Sequence, residues 1–498
     1  MVFSSVIFVF YFLPLTLSLY YAVPRHSRHL VLTVGSYVFY GWANPLFVVL
    51  LLFSTFVDYL CGLVIVGSGP VWLARLLGAT DVAKCWCQPL QPLRQHTTRS
   101  RRQRLALICS LCSNLALLGF FKYFNFGIES YDRVISFVGL DHLQLQSTLQ
   151  VTLPLGISFY TFQSMSYTID IFRGQAGAVR QFIDFACYVS LFPQLVAGPI
   201  IRFSEIADQL RLRSSTLVKF TRGITFFSIG LFKKIWLANP CGQVADIVFD
   251  SGFPTALDAW CGVIAYSFQI YFDFSAYSDM AIGLGLMLGF VFPKNFDSPY
   301  QSASVTEFWQ RWHISLSSWL RDYLYIPLGG SRSGKNRTYI NLFVVMLLGG
   351  LWHGAAWTFV IWGGLHGTLL ALERTRGKTA FYDKLPHPVR VFITFNMVSI
   401  GWVFFRANDL GHATRFLQSM FWLRSSQPPS ELISGILYQP YFLITLGISA
   451  IVIWSCPQTW DWGRQLTVPR AILTSLALAA SLALLATQAY NPFLYFIF

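Results

Sequence analysis

The stretch "GGLWHGAAWTFVIWGG", Gly349 to Gly364, sets one histidine among apolar and aromatic residues. His353 lies between Trp352 and Gly354, and the 35 residues separating Arg337 from Glu373 carry no Asp, Glu, Lys or Arg. As a single helix they would run about 52 Å at 1.5 Å per residue, against a hydrocarbon core of about 30 Å. Basic clusters flank both ends: Arg332, Lys335 and Arg337 before, Arg374, Arg376 and Lys378 after. Positive charge collects in cytoplasmic loops, so both ends are expected inside. The segment should then enter the membrane and turn back at "GGLWHGA", because paired glycines weaken a helix. Its first arm, 338–350, would reach only about 20 Å and end within the hydrocarbon region. Non-helical backbone is tolerated there only when surrounded by protein or a water-filled cavity. His353 is thus expected at a helix break, within membrane depth, facing a cavity. Gly350/Gly354 and Gly363/Gly367 have the small-xxx-small spacing that lets helices approach closely.

The rest of the chain fits this setting. Of 498 residues 54% are hydrophobic and 12% charged, too apolar a balance for a soluble protein of this size. Apolar segments recur near 3–22, 29–43, 46–66, 105–122, 151–171, 182–200, 217–237, 256–274, 276–292, 338–350, 355–372, 389–405, 439–455 and 470–488. Several are shorter than the roughly 20 residues of a simple span, so some are expected to be re-entrant or interfacial. The opening "MVFSSVIFVFYFLPLTLSLYY" lacks a basic start and a small-residue cleavage site, and reads as a retained first span. No soluble domain, disordered linker or internal repeat stands out; one membrane domain, 1–498, is the simplest organisation.

The net charge of +14 would point to nucleic acid on a soluble protein; here it reads as loop charge. The loop from Arg75 to Arg104 holds seven basic residues, four of them in "RSRRQR", and one acid, Asp81. This predicts a cytoplasmic loop after three spans, and so an outside N-terminus. Arg173, Arg180, Lys233 and Lys234 are the next markers. "CWC" (Cys85, Cys87) and "CSLC" (Cys109, Cys112), with His96 between, look paired. A zinc site needs four well-placed ligands, and the second pair lies in an apolar segment, so ordinary thiols and no metal are expected.

A second histidine lies in "SVTEFWQRWHISLSSWLRDYLYIPLGG", Ser304 to Gly330. Trp309, Trp312, Leu316, Trp319, Leu320 and Tyr323 follow helical spacing, which predicts one amphipathic interfacial helix with His313 on its apolar side. Interface anchoring and catalysis are both open for His313. For His353 a packed ring bonded to a carbonyl competes with a proton-transfer role; an imidazole with a pKa of about 6.5 suits that work near neutral pH. Asp273 and Tyr277 are one turn apart in "YFDFSAYSDMAIGLGLMLGF", as are Ser275 and Asp279. Hydrogen-bonded structural pairs are the favoured reading, a lining of a substrate path the other. "FPQLVAGPIIRF", Phe192 to Phe203, is a broken segment. GxSxG, P-loop, GxGxxG and HExxH motifs do not occur, which leaves a soluble-type hydrolase or a nucleotide-driven pump unsupported.

These segments together resemble the membrane-bound O-acyltransferase (MBOAT) family, most nearly its alginate O-acetyltransferase (AlgI-like) branch. The resemblance is carried by "MVFSS", "LPLGISFYTFQSMSYTIDIFRG", "FPQLVAGPIIRF", "YFDFSAYSDMAIGLGLMLGF", "FWQRWHISLSSWLRDYLYIPLGG" and "LLGGLWHGAAWTFVIWGGLHG". It covers the chain to about Arg406; residues 407–498 are less recognisable. It implies an all-α polytopic fold, a ring of about eleven to fourteen transmembrane and re-entrant helices around a tunnel, with residues 304–372 as the catalytic region. It also implies His353 as the catalytic histidine, His313 as the second functional one, and Trp352 and Trp312 lining or bracing the site; Asp273, Tyr277 and Asp279 are candidate supporting residues. No cofactor would be held. An acyl thioester such as acetyl-CoA would be the donor, a secreted polysaccharide such as alginate or a cellulose-like polymer the acceptor. A periplasmic or membrane-anchored SGNH-type acetyltransferase and a polysaccharide synthesis and export complex would be the partners, at the bacterial inner membrane. A transporter or channel with proton-relaying histidines is the alternative of another class, a non-catalytic export scaffold a third, and D-alanyl transfer to teichoic acid the alternative within the family. The polysaccharide, donor, partner, span count, oligomeric state and the principal base among the two histidines are open at this stage.

Overall fold

An apolar chain in lipid can satisfy its backbone within helices, and the described residues contain helices and no strand. The computed structural model describes residues 1–68, 90–95, 97–145, 150–252, 254–377, 380–423 and 430–494. The protein is an all-α polytopic membrane protein. Four helices among the described residues are long and apolar enough to cross a membrane by length and composition: Leu46–Val66, Arg101–Phe137, His387–Arg406 and Val468–Thr487. Phe8–Ala22 and Pro440–Ser455 are apolar but shorter. The other apolar segments sit in shorter or more polar helices.

The chain divides into two compact units. Met1–Leu217 with Leu288–Val291 forms the first. A π-helical turn, Phe8–Phe12, leads into α1 (Leu13–Ala22), then α2 (Arg28–Gly41), α3 (Leu46–Val66), α4 (Arg101–Phe137), α5 (Ile157–Arg173), α6 (Phe182–Ser190), α7 (Phe192–Leu195) and α8 (Phe203–Arg211). Ser100 and Gln103 close a capping box at the start of α4, satisfying amides that the helix leaves open. Phe8, Phe12, Phe39 and Phe192 form an aromatic core. As expected, the Pro- and Gly-rich run from Phe192 is broken, with α7 only four residues long. Asp58 on α3 is fully buried against α4: Ser110 Oγ donates to it at 2.6 Å and Asn114 Nδ2 at 2.8 and 2.9 Å. Most of the basic loop, with Cys85, Cys87 and His96, lies outside the described residues, as does Lys378; Cys109 and Cys112 are exposed on α4.

The second unit comprises Val218–Met287 and Phe292–Phe498. Its helices are α9 (Leu217–Phe232), running into a π-helical segment Lys233–Ala238, α10 (Asn239–Asp250), α11 (Ala256–Met287), α12 (Val305–Arg311), α13 (Ile314–Leu320), α14 (Lys335–His353), α15 (Trp357–Thr375), α16 (His387–Arg406), α17 (Leu410–Met420), α18 (Ser430–Leu437), α19 (Pro440–Ser455), α20 (Thr459–Trp462) and α21 (Val468–Thr487). Three expectations change here. The segments near 256–274 and 276–292 are largely one 32-residue helix, α11, because Ser275, Ala276 and Tyr277 include no breaker. Ser304–Gly330 is not one amphipathic helix: it breaks at Trp312–His313 between α12 and α13. In the opening stretch, Gly349 and Gly350 do not end the helix; α14 continues for 19 residues through His353, and the turn is made by Gly354–Ala356. The glycines serve the crossing instead. A Cβ on Gly350 would come within 2.3 Å of the Phe359 carbonyl and 3.1 Å of Gly363 Cα, so α14 and α15 meet backbone to backbone as an antiparallel hairpin.

Candidate active site

The turn after α14 decides where His353 points. A Cβ on Gly354 would fall 2.0 Å from the Phe359 ring, so only glycine lets the chain reverse this tightly. The reversal leaves His353 at the end of α14, 7% exposed, against Trp352, Trp362 and Phe405 with ring centres 5.0, 5.3 and 5.2 Å away. It lines a small cavity of about 10 Å³, near the volume one water needs. Trp312, Trp402, Phe405, Ile270, Phe274 and Leu494 form the apolar walls; Asp273 and His353 are its ionisable members.

His313 is fully buried and stands beside this cavity, its ring centre 6.4 Å from that of His353. It occupies the break between α12 and α13 with φ +44° and ψ +55°. A non-glycine residue there costs roughly 1–3 kcal/mol and persists only where its surroundings fix it. The fixing groups are visible. Ser304 Oγ accepts the Glu307 amide at 3.0 Å and starts α12. Glu373, from the far end of α15, accepts the Val305 and Thr306 amides at 2.8 Å and the Thr306 hydroxyl at 2.6 Å, capping the same helix with a buried carboxylate. On the other side of the break Asn295 receives the Ile314 amide on its carbonyl at 2.9 Å. Phe274 meets the His313 ring edge-on at 4.6 Å.

The two aspartates find partners outside α11 rather than one turn along it. Asp273 lies 2.7 Å from Lys234 Nζ, and both side chains are almost wholly buried. That ammonium is off the line of an aligned hydrogen bond to Oδ1, so the contact is an ion pair by proximity. Oδ2 of Asp273 accepts the Leu494 amide at 2.9 Å. Asp279 is paired with Lys233 at 2.8 Å and accepts the Thr459 hydroxyl at 2.6 Å. Tyr277 stacks on Phe493 at 4.8 Å. Lys233 and Lys234 are therefore buried counter-ions, not markers of an aqueous loop, and the π-helical segment presents them to two carboxylates six positions apart. The structure thus gathers His353, Trp312 and Asp273 on one cavity and His313 and Trp352 around it. Asp279 belongs to a second, polar cavity with Lys233, Lys294 and Asn295.

Asn295, Trp362, Trp402 and Phe405 were not singled out from the sequence, and Lys234 was read only as a charge marker. "LFKKIWLA" held a signal, since two lysines inside an apolar run need anions; Asn295 and the aromatics carried none. A third buried histidine, His366, accepts from Trp309 Nε1 at 3.3 Å between α12 and α15.

Comparison with known proteins places this arrangement. Residues 173–401 match MBOAT, the membrane-bound O-acyltransferase family. The chain is 42% identical over 520 residues to the "Probable alginate O-acetylase AlgI" of Pseudomonas putida, covering 100% of both. The chain belongs to the membrane-bound O-acyltransferase family. It is also 35% identical to the "Peptidoglycan O-acetyltransferase" of Helicobacter pylori, over 84% of this chain and 80% of that one. It is 29% identical to the "Teichoic acid D-alanyltransferase" of Streptococcus thermophilus, over 51% and 69%. In this acyltransferase an imidazole stands in the wall of a small, mostly apolar cavity.

Proposed function

We propose that this protein is an O-acetyltransferase that passes an acetyl group from a cytoplasmic thioester through the membrane for O-acetylation of a secreted polysaccharide. Alginate is the first candidate and a cellulose-like polymer the second. The carrying observation is the end-to-end similarity to a probable alginate O-acetylase in a chain whose His353 lines an aromatic cavity. The two histidines beside that cavity favour transferase chemistry over a transporter, channel or scaffold. The D-alanyl relative matches only half the chain. Acetyl-CoA or another acyl thioester is the donor in this reading, an SGNH-type acetyltransferase outside the membrane the partner, and the bacterial inner membrane the location, with the N-terminus outside.

The chemistry is one acyl transfer. His353 takes the proton of the acceptor hydroxyl as its oxygen attacks the thioester carbonyl. The tetrahedral intermediate collapses, the C–S bond breaks, and His353 returns the proton to the departing thiolate. General acid–base work of this kind contributes typically about 10²- to 10⁴-fold. The test is the acetyl content of exopolysaccharide, by NMR, from cells producing His353→Ala. Loss of acetylation with the variant still in the membrane is expected; normal acetylation rejects the assignment. Loss of acetyl groups from peptidoglycan alone would reject the exopolysaccharide as acceptor.

A further inference from the structure

Asn295 lies in extended chain before α12, buried to 1%. Its amide oxygen accepts the Ser315 amide at 3.2 Å and the Ser315 hydroxyl at 2.9 Å, and its amide nitrogen donates to Ser278 Oγ at 2.9 Å. A backbone N–H can only donate, so the atom facing Ser315 is the oxygen. That same oxygen is 3.3 Å from Nδ1 of His313, and Ser315 Oγ, whose single proton goes to Asn295, is 3.4 Å from Nδ1 and can there only accept. Two atoms that both lack a proton would repel, so His313 carries its proton on Nδ1. A neutral imidazole protonated there has its lone pair on Nε2. Nε2 of His313 is buried and has no hydrogen-bond partner among the described residues. Leaving a buried acceptor unanswered is costly, and it marks a place where a water or a reacting group is received.

We propose that Asn295 is a positioning residue for acyl transfer: it holds the Nδ1 proton of His313 and so keeps Nε2 as an acceptor for a hydroxyl or water between the two histidines. In this state His313 offers no proton from Nε2 to a developing oxyanion. Its part is to receive a hydrogen bond and align the oxygen whose proton His353 takes. With ring centres 6.4 Å apart, the imidazoles are suited to one bridging oxygen rather than a direct contact. The inference rests on the acyltransferase reading for its function, but not for its geometry.

The test uses the full-length chain, ¹⁵N-labelled at histidine and reconstituted in lipid bilayers, with solid-state NMR shifts assigned against His313→Gln. Wild type is expected to show Nδ1–H and bare Nε2; Nε2–H at His313 overturns the proposal whatever the variants do. Asn295→Ala should mix the tautomers and lower kcat about 10- to 100-fold with KM little changed, the size usual when a residue orienting a functional imidazole is lost. Asn295→Asp keeps an acceptor at Nδ1 and should recover about tenfold over Asn295→Ala. Equal loss in both variants, with the wild-type tautomer retained in each, also overturns it. Wild type with Nδ1–H but no acyl transfer would defeat the functional reading while supporting the tautomer.

Discussion

Two buried polar clusters, one in each unit, differ in what they leave open. Around Asp58 the carboxylate's hydrogen bonds are met from within the protein. Ser110 and Asn114 donate to the carboxylate, Ser54 donates to the Asn114 oxygen at 3.1 Å, and Ser110 and Thr168 share a bond of 2.9 Å. Around His353 the groups are arranged but not exhausted. Nε2 of His313 has no partner among the described residues, the main chain of His313 is strained, and a cavity lies alongside. Both clusters lie in apolar helical surroundings, where ionisable residues mark function by default. The contrast refines that rule: a carboxylate whose hydrogen bonds are all spent inside the protein joins helices, whereas unspent capacity beside a cavity can meet a substrate.

The largest expected effect falls on the open cluster. His353→Ala should reduce acetyl transfer by at least the roughly 10²-fold of a lost acid–base group, with the thermal midpoint of the purified protein almost unchanged. A loss of activity explained entirely by lost folded protein would erase the contrast.

Next comes the buried ion pair at the cavity. Lys234→Ala leaves Asp273 without its counter-ion in a dry setting, where removing one partner costs about 3–5 kcal/mol. A sharp fall in the thermal midpoint is expected. The double substitution Lys234→Met with Asp273→Leu should restore most of it, since replacing a buried pair by apolar side chains is often neutral. If stability returns while acetyl transfer stays low, the pair belongs to the working cavity; if both return, it is a structural joint like Asp58.

How much of this the sequence disclosed depends on range. Local features were legible: the uncharged window around His353, the glycine spacing that let α14 and α15 cross, and the broken run from Phe192 all follow from neighbouring residues. The position of the helix end was not, because Gly350 packs against the backbone of α15 and Gly349 against Leu320 of α13, and tertiary contact overrode their low helix propensity. The single helix expected over Ser304–Gly330 failed for a similar reason. Trp312 and His313 have helical spacing, but Glu373 and Asn295, distant in sequence, hold the chain in two pieces. Lys233 and Lys234 misled because charge alone does not say whether a lysine meets water or a carboxylate some forty positions away.

A smaller effect should follow at the helix crossing. In Gly350→Ala the new methyl would meet backbone atoms of Phe359 and Gly363, which cannot rotate away. Overpacking of this kind costs typically about 1–3 kcal/mol. A lowered thermal midpoint is expected together with reduced kcat, because His353 lies three residues further along the displaced helix. An unchanged midpoint would mean that the hairpin yields freely and that its close approach does not hold the imidazole.

The smallest effect on chemistry belongs to the closed cluster. Asn114 Nδ2 donates to both oxygens of Asp58, so Asp58→Asn would set one amide nitrogen against another donor. The mismatch should cost about 1–3 kcal/mol, toward the lower end if the new amide turns its oxygen to Ser110. Thermal scans should show the loss, while acetyl transfer per folded molecule stays at the wild-type value. A drop in turnover comparable to that of His353→Ala, at equal folded protein, would show that a fully answered carboxylate also takes part in the reaction, and that unspent hydrogen-bonding capacity does not separate the working cluster from the structural one.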